Sequence, residues 1–113
     1  MRLESRKHLF DIKRALALLA EFTAGKEFVD YAGDAMRRAA VERQLEVVGE
    51  ALAQLAKLDP AIAEGISEFR RIIAFRNILI HGYADVDDRL VWAVVETKLP
   101  VLSREVGVLL ETE

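Results

Sequence analysis

Two histidines, His8 and His81, are the only side chains of this chain whose ordinary pKa lies near neutrality, so they decide whether proton transfer is available to it. His8 follows Arg6 and Lys7 at a charged helix start with no partner motif nearby, and no role is assigned to it. The surroundings of His81 differ. Arg76, Asn77, His81 and Tyr83 fall within eight residues, separated by the apolar run Ile78, Leu79 and Ile80. If the helix continues, Arg76 and Tyr83 nearly eclipse while Asn77 and His81 stack on the adjacent row, and four polar tips share one side. That set offers a fixed cation for a phosphate, an amide for orientation, an imidazole able to pass a proton and a phenol at the rim. It suits cleavage of RNA through its own 2′-hydroxyl, in which the sugar supplies the nucleophile and the protein supplies proton transfer and charge stabilisation, with no metal or cofactor. The same residues also suit a bundle end where Arg and His are satisfied by carboxylates or carbonyls and Tyr caps the core, because structural ion pairs gather titratable groups too.

Other chemistries lack their residues. Without cysteine there is no thiol nucleophile, thiolate zinc site or disulfide scaffold. Neither histidine sits in a Glu-x-x-His or His-x-x-x-His arrangement, so no metal is expected. There is no glycine-rich phosphate loop and no Gly-x-Ser-x-Gly elbow, and the single Trp belongs to no stacking series. A net charge of −3 argues against a generic polyanion binder, so any RNA contact must be local. No run approaches about 18 uninterrupted apolar residues, and the expected location is the cytoplasm.

The elements that must position this cluster read as all-α: an antiparallel four-helix bundle with a short extra helical turn, in a single domain over 1–113. Leu9, Ile12, Leu16 and Leu19 mark a first helix from Leu3 to Phe22. Gly25 to Gly33 breaks the pattern, Asp34 can cap, and a second helix runs to Leu58 on Val41, Leu45, Val48, Leu52 and Leu55. Arg37, Arg38 and Arg43 face mostly away from that stripe, as a solvated face or as contacts to RNA or a partner. Asp59-Pro60 starts the short turn that Gly65 ends. A third helix spans Ser67 to Ile80; its isoleucines favour a strand, but no second alternating segment exists to pair with it. After a connection over Gly82 to Asp85, capped by Asp85 or Asp87, a fourth helix follows Val91, Val95, Leu99, Leu102, Val106 and Leu109, with a kink at Pro100.

At Arg-Asn-Ile-Leu-Ile-His-Gly-Tyr, residues 76–83, the chain resembles the Arg-x4-His-x-Tyr signature of HepT-like toxins of the HEPN superfamily. The likeness extends upstream to Glu42 through Ala51 and downstream to Val86 through Leu102, including Leu99-Pro100; Glu68-Phe69-Arg70 departs from the Pro-Trp-Arg common in relatives. The resemblance implies a metal-independent RNase toxin of a type II or VII-like toxin–antitoxin system, acting as a homodimer with two motifs facing one another. Arg76 would bind the scissile phosphate, His81 would transfer the proton and Asn77 would orient them. It also implies an MNT-type nucleotidyltransferase antitoxin that transfers AMP to Tyr83, whose added charge and bulk would exclude a phosphate. The dimer would double the cations, let one imidazole act as base and its mate as acid, and bury faces of the third and fourth helices. Two readings compete with it. One is a non-catalytic module that docks a minimal nucleotidyltransferase; the other is a nucleic-acid or nucleotide-binding bundle without turnover, should Arg37, Arg38 and Arg43 line a groove.

Overall fold

A computed structural model describes residues 1–82 and 86–111. All regular structure among them is helical: α1 Leu3–Thr23, α2 Phe28–Ala32, α3 Ala35–Leu58, α4 Pro60–Ala63, α5 Phe69–His81, α6 Asp88–Thr97 and α7 Leu99–Glu111. Helices α1, α3, α5 and the α6–α7 pair form the bundle, and α4 is the extra turn, opened by Pro60 where a missing N–H costs nothing. The Ser5 hydroxyl donates to Asp59 at 2.9 Å and Arg37 reaches the Phe22 carbonyl, so each end of α1 meets the opposite end of α3 and the two run antiparallel. The expected periodic positions are the core: Leu9, Ile12, Leu19, Val41, Leu52 and Leu55 are all inaccessible.

Four local expectations are corrected. The Gly25–Gly33 break contains α2, one turn closed by a capping box between Glu27 and Asp30, which seals Tyr31 against Trp92 with ring centroids 5.2 Å apart. Five residues carry too little periodicity to register as a helix, yet their buried Tyr anchors the segment. Arg37 and Arg38 do not form a solvated face. Arg37 donates to the Phe22 carbonyl near the end of α1 and Arg38 to the Ala32 carbonyl at the end of α2, and their side chains are only 25% and 29% exposed.

The third helix begins at Phe69, two residues later than expected. Glu68 adopts φ 56°, a left-handed conformation uncommon for a residue with a side chain, and Ser67 is held by Glu105 through its backbone N–H and hydroxyl. The fourth helix is two helices rather than one kinked rod. The break falls at Lys98, leaving Leu99 and Pro100 as the first two residues of α7, where proline's missing donor is tolerated. Asp87 caps α6 by accepting from the Arg89 N–H; Asp85, the other expected cap, and Tyr83 lie outside the described residues.

Helix α5 leans on α3. Toward α6 and α7 it leaves an apolar groove of about 350 Å³ that includes Phe75, Ile78, Leu90, Val94 and Leu102, with Ile78 and Leu90 about half exposed. No helix among the described residues is long and apolar enough to cross a membrane.

Candidate active site

Helix α5 carries the polar cluster and α3 is the surface it is built on. Gly49 sits buried in the middle of α3, where glycine is unfavourable relative to alanine by about 1 kcal/mol. The compensation is close approach. A Cβ placed at Gly49 would lie 2.6 Å from Cγ of Arg76 and closer still to its Cβ, so only a residue without a side chain lets the stem of Arg76 rest on α3. The Arg76 side chain is 18% exposed as a result.

Its guanidinium donates through one Nη to Glu50, the residue after that glycine, in a charge-assisted pair. The other oxygen of the same carboxylate accepts from the Gln54 amide at 3.2 Å. The Nε of Arg76 is buried without a hydrogen-bond partner among the described residues. Asn77 and His81, four apart, are both exposed, and His81 is the last residue of α5. Five residues along an α-helix rotate the direction by about 140° beyond a full turn. The expectation of one shared side is therefore corrected for Arg76, Asn77 and His81, Tyr83 lying outside the described residues. Asn77 and His81 share the outer face, while Arg76 is turned onto α3 and paired there with a carboxylate through one Nη.

Glu50 also lines a polar groove of about 520 Å³ between α1, α3 and the end of α5, together with His8, Arg14, Arg43, Gln44 and Ile80. His8, assigned no role from sequence, thus shares a groove with the partner of Arg76. Arg43 stands beside Glu46 at 3.5 Å, so the one arginine of the Arg37, Arg38 and Arg43 group that remains well exposed has an acidic neighbour. A separate cluster lies at the α2–α3–α6 corner. The Tyr31 hydroxyl is buried without a hydrogen-bond partner among the described residues, and burial, then Glu42 and Asp88, push its pKa well above the ordinary tyrosine value. Glu42 is itself raised, first by burial and then by Asp88 and Glu46. Among the described residues no three His, Cys, Asp or Glu side chains group so that they could hold a metal ion.

Sequence reasoning missed Glu50 as part of this arrangement. Its signal was the buried mid-helix glycine beside it, which marks where another element must come close.

An all-helical bundle that holds an Arg-x4-His pair on one helix, with the arginine seated on its neighbour, defines a HEPN-type domain. The chain belongs to the ribonuclease HepT-like family, whose model matches residues 12–109. It is 34% identical over 106 residues to "Probable ribonuclease HepT" of Thermococcus cleftensis, covering 90% of this chain and 92% of that one. It is 31% identical over 110 residues to "Putative RNase TTE0752" of Caldanaerobacter subterraneus subsp. tengcongensis, covering 96% of each. No solved structure matches at a significant level.

Proposed function

We propose that this HepT-family ribonuclease is the toxin of a two-gene toxin–antitoxin system and cleaves RNA as a homodimer without a metal ion. Arg76 binds the scissile phosphate. His81 of one protomer takes the proton from the substrate 2′-hydroxyl as that oxygen attacks phosphorus, and His81 of the facing copy gives a proton to the departing 5′-oxygen. The O2′–P bond forms as the P–O5′ bond breaks, leaving a 2′,3′-cyclic phosphate and a 5′-hydroxyl. Asn77, exposed on the same face as His81, orients the substrate or the imidazole.

The observation that carries this reading is the division of labour on α5: a cation seated against α3 and an imidazole left open at the helix end. One protomer directs these groups about 140° apart, and a facing copy supplies the imidazole that its own helix turns away. Symmetry also concentrates positive charge locally on a chain of net charge −3. Silencing follows if an MNT-type nucleotidyltransferase transfers AMP to Tyr83, which places a bulky anion two residues from His81.

The test is incubation of purified protein with RNA in excess EDTA. Cleavage that yields 2′,3′-cyclic phosphate ends, and that His81→Ala abolishes, supports the proposal. Cleavage that needs added metal, or that His81→Ala leaves intact, ends it.

One observation favours the second reading, a non-catalytic module that docks a nucleotidyltransferase: Arg76 is already paired with Glu50. That reading requires partner binding with no RNA cleavage at any protein concentration.

A further inference from the structure

We propose that Glu50 is the positioning residue for Arg76, fixing the guanidinium in the orientation that receives the scissile phosphate; this rests on the reading of Arg76 as the phosphate ligand. Three observations converge. The aliphatic stem of Arg76 is confined against the bare backbone of Gly49, so the first torsions of the side chain are set by packing. The remaining freedom is rotation of the guanidinium plane, and Nε does nothing to stop it, being buried with no hydrogen-bond partner among the described residues. Among the described residues the contact to Glu50 is the one hydrogen bond that this plane makes, and it carries the orientation.

Glu50 is itself held. One of its oxygens takes the Arg76 donor and the other accepts from Gln54 one turn along α3, so both oxygens of a half-exposed carboxylate are engaged as it orients the arginine. Gln54–Glu50–Arg76 is thus a relay that starts on the rigid backbone of a 24-residue helix and ends at the cation. A planar guanidinium presents its donors as a fork, and bidentate recognition of a phosphate depends on that plane being aimed.

Charge and geometry act in opposite directions at Glu50, and they separate by substitution. The carboxylate opposes an incoming phosphate, while its hydrogen bond aims the cation. Glu50→Gln keeps an oxygen for Arg76, since the Gln54 amide can turn to accept from the new NH2, and it removes the negative charge. Glu50→Ala removes both.

The experiment measures steady-state cleavage of an oligoribonucleotide by full-length parent, E50Q, E50A, R76A and E50A/R76A. In parallel, the Arg76 1H–15N Nε signal is followed by NMR without substrate. E50Q is expected to lower KM and retain most of kcat. E50A is expected to lose about 10- to 100-fold in kcat, the scale of a small misplacement of a reacting group. E50A/R76A should be no slower than R76A, because Glu50 acts through Arg76. The Nε signal should be sharp in parent and E50Q and averaged or lost in E50A.

Equal kcat in E50A and parent overturns the proposal, as does equal loss in E50Q and E50A, or an unchanged Nε signal in E50A. If the parent cuts no RNA, the ribonuclease mechanism falls; the NMR arm then still decides whether Glu50 orients Arg76.

Discussion

Removing His81 and removing Arg76 are different perturbations, because one side chain stands open at the end of α5 and the other is half of an ion pair. His81→Ala deletes an exposed group with no hydrogen-bond or ion-pair partner among the described residues. It should cost about 10²- to 10⁴-fold in kcat, the usual worth of a positioned acid or base, with the melting temperature unchanged. Arg76→Ala also strands Glu50, so a modest loss of stability should accompany its loss of activity; a variant that loses neither removes Arg76 from the site. Tyr83→Phe should cleave RNA at a rate close to the parent and resist AMP transfer. Intact-mass measurement after incubation with an MNT-type nucleotidyltransferase and ATP checks this, and a variant still gaining one AMP excludes Tyr83 as the acceptor. At this scale the sequence displays Arg76 and His81 openly, since their types and separation are local facts. It hides Glu50, because a partner 26 residues away is set by how two helices lie together.

The long elements declare themselves through periodicity: α1 and α3 each repeat their apolar positions over several turns, and Leu9, Ile12, Leu16, Leu19, Val41, Leu45, Val48, Leu52 and Leu55 are buried as predicted, with the small residues Ser5, Ala15 and Gly49 buried beside them. The short or interrupted elements do not. Helix α2 is one turn long, and the split between α6 and α7 lies inside a continuous apolar stripe that reads equally well as one helix or two. Gly49 is where element packing and the site meet. Gly49→Ala should improve the intrinsic propensity of α3 by about 1 kcal/mol, yet overpacking against the Arg76 stem costs about 1–3 kcal/mol. The net expectation is lower stability in denaturant titration and reduced cleavage, as the added methyl pushes α5 outward. A gain in stability with full activity would show that the α3–α5 approach is looser than described.

The whole molecule, 43 × 29 × 19 Å, is thin enough in its smallest dimension to be about two helix diameters deep, so few of its charged groups escape solvent. Glu42 is an exception with a consequence for pH. Its pKa in the folded chain is raised by burial and by Asp88 and Glu46, so the folded state holds that proton more tightly than the unfolded one. Its contribution is therefore fully present below the ordinary glutamate value and lost as pH rises through the folded value. Glu42→Gln should raise the melting temperature at pH 7.5, by on the order of 4 °C if about 1 kcal/mol is recovered. The gain should vanish near pH 4, and an equal gain at both values excludes the charge as its origin. The charge balance was legible from composition alone, whereas the use of Arg37 and Arg38 as tethers was not, because their partners are backbone carbonyls that no residue type announces.

The packing of Trp92 on Tyr31 gives the chain a built-in optical gauge. With a single indole in the sequence, selectively excited tryptophan fluorescence reads the α2–α6 corner alone. A red-shifted emission that precedes loss of helical circular dichroism during denaturation would mean that α2 peels away first, while the bundle beneath Arg76 is still folded.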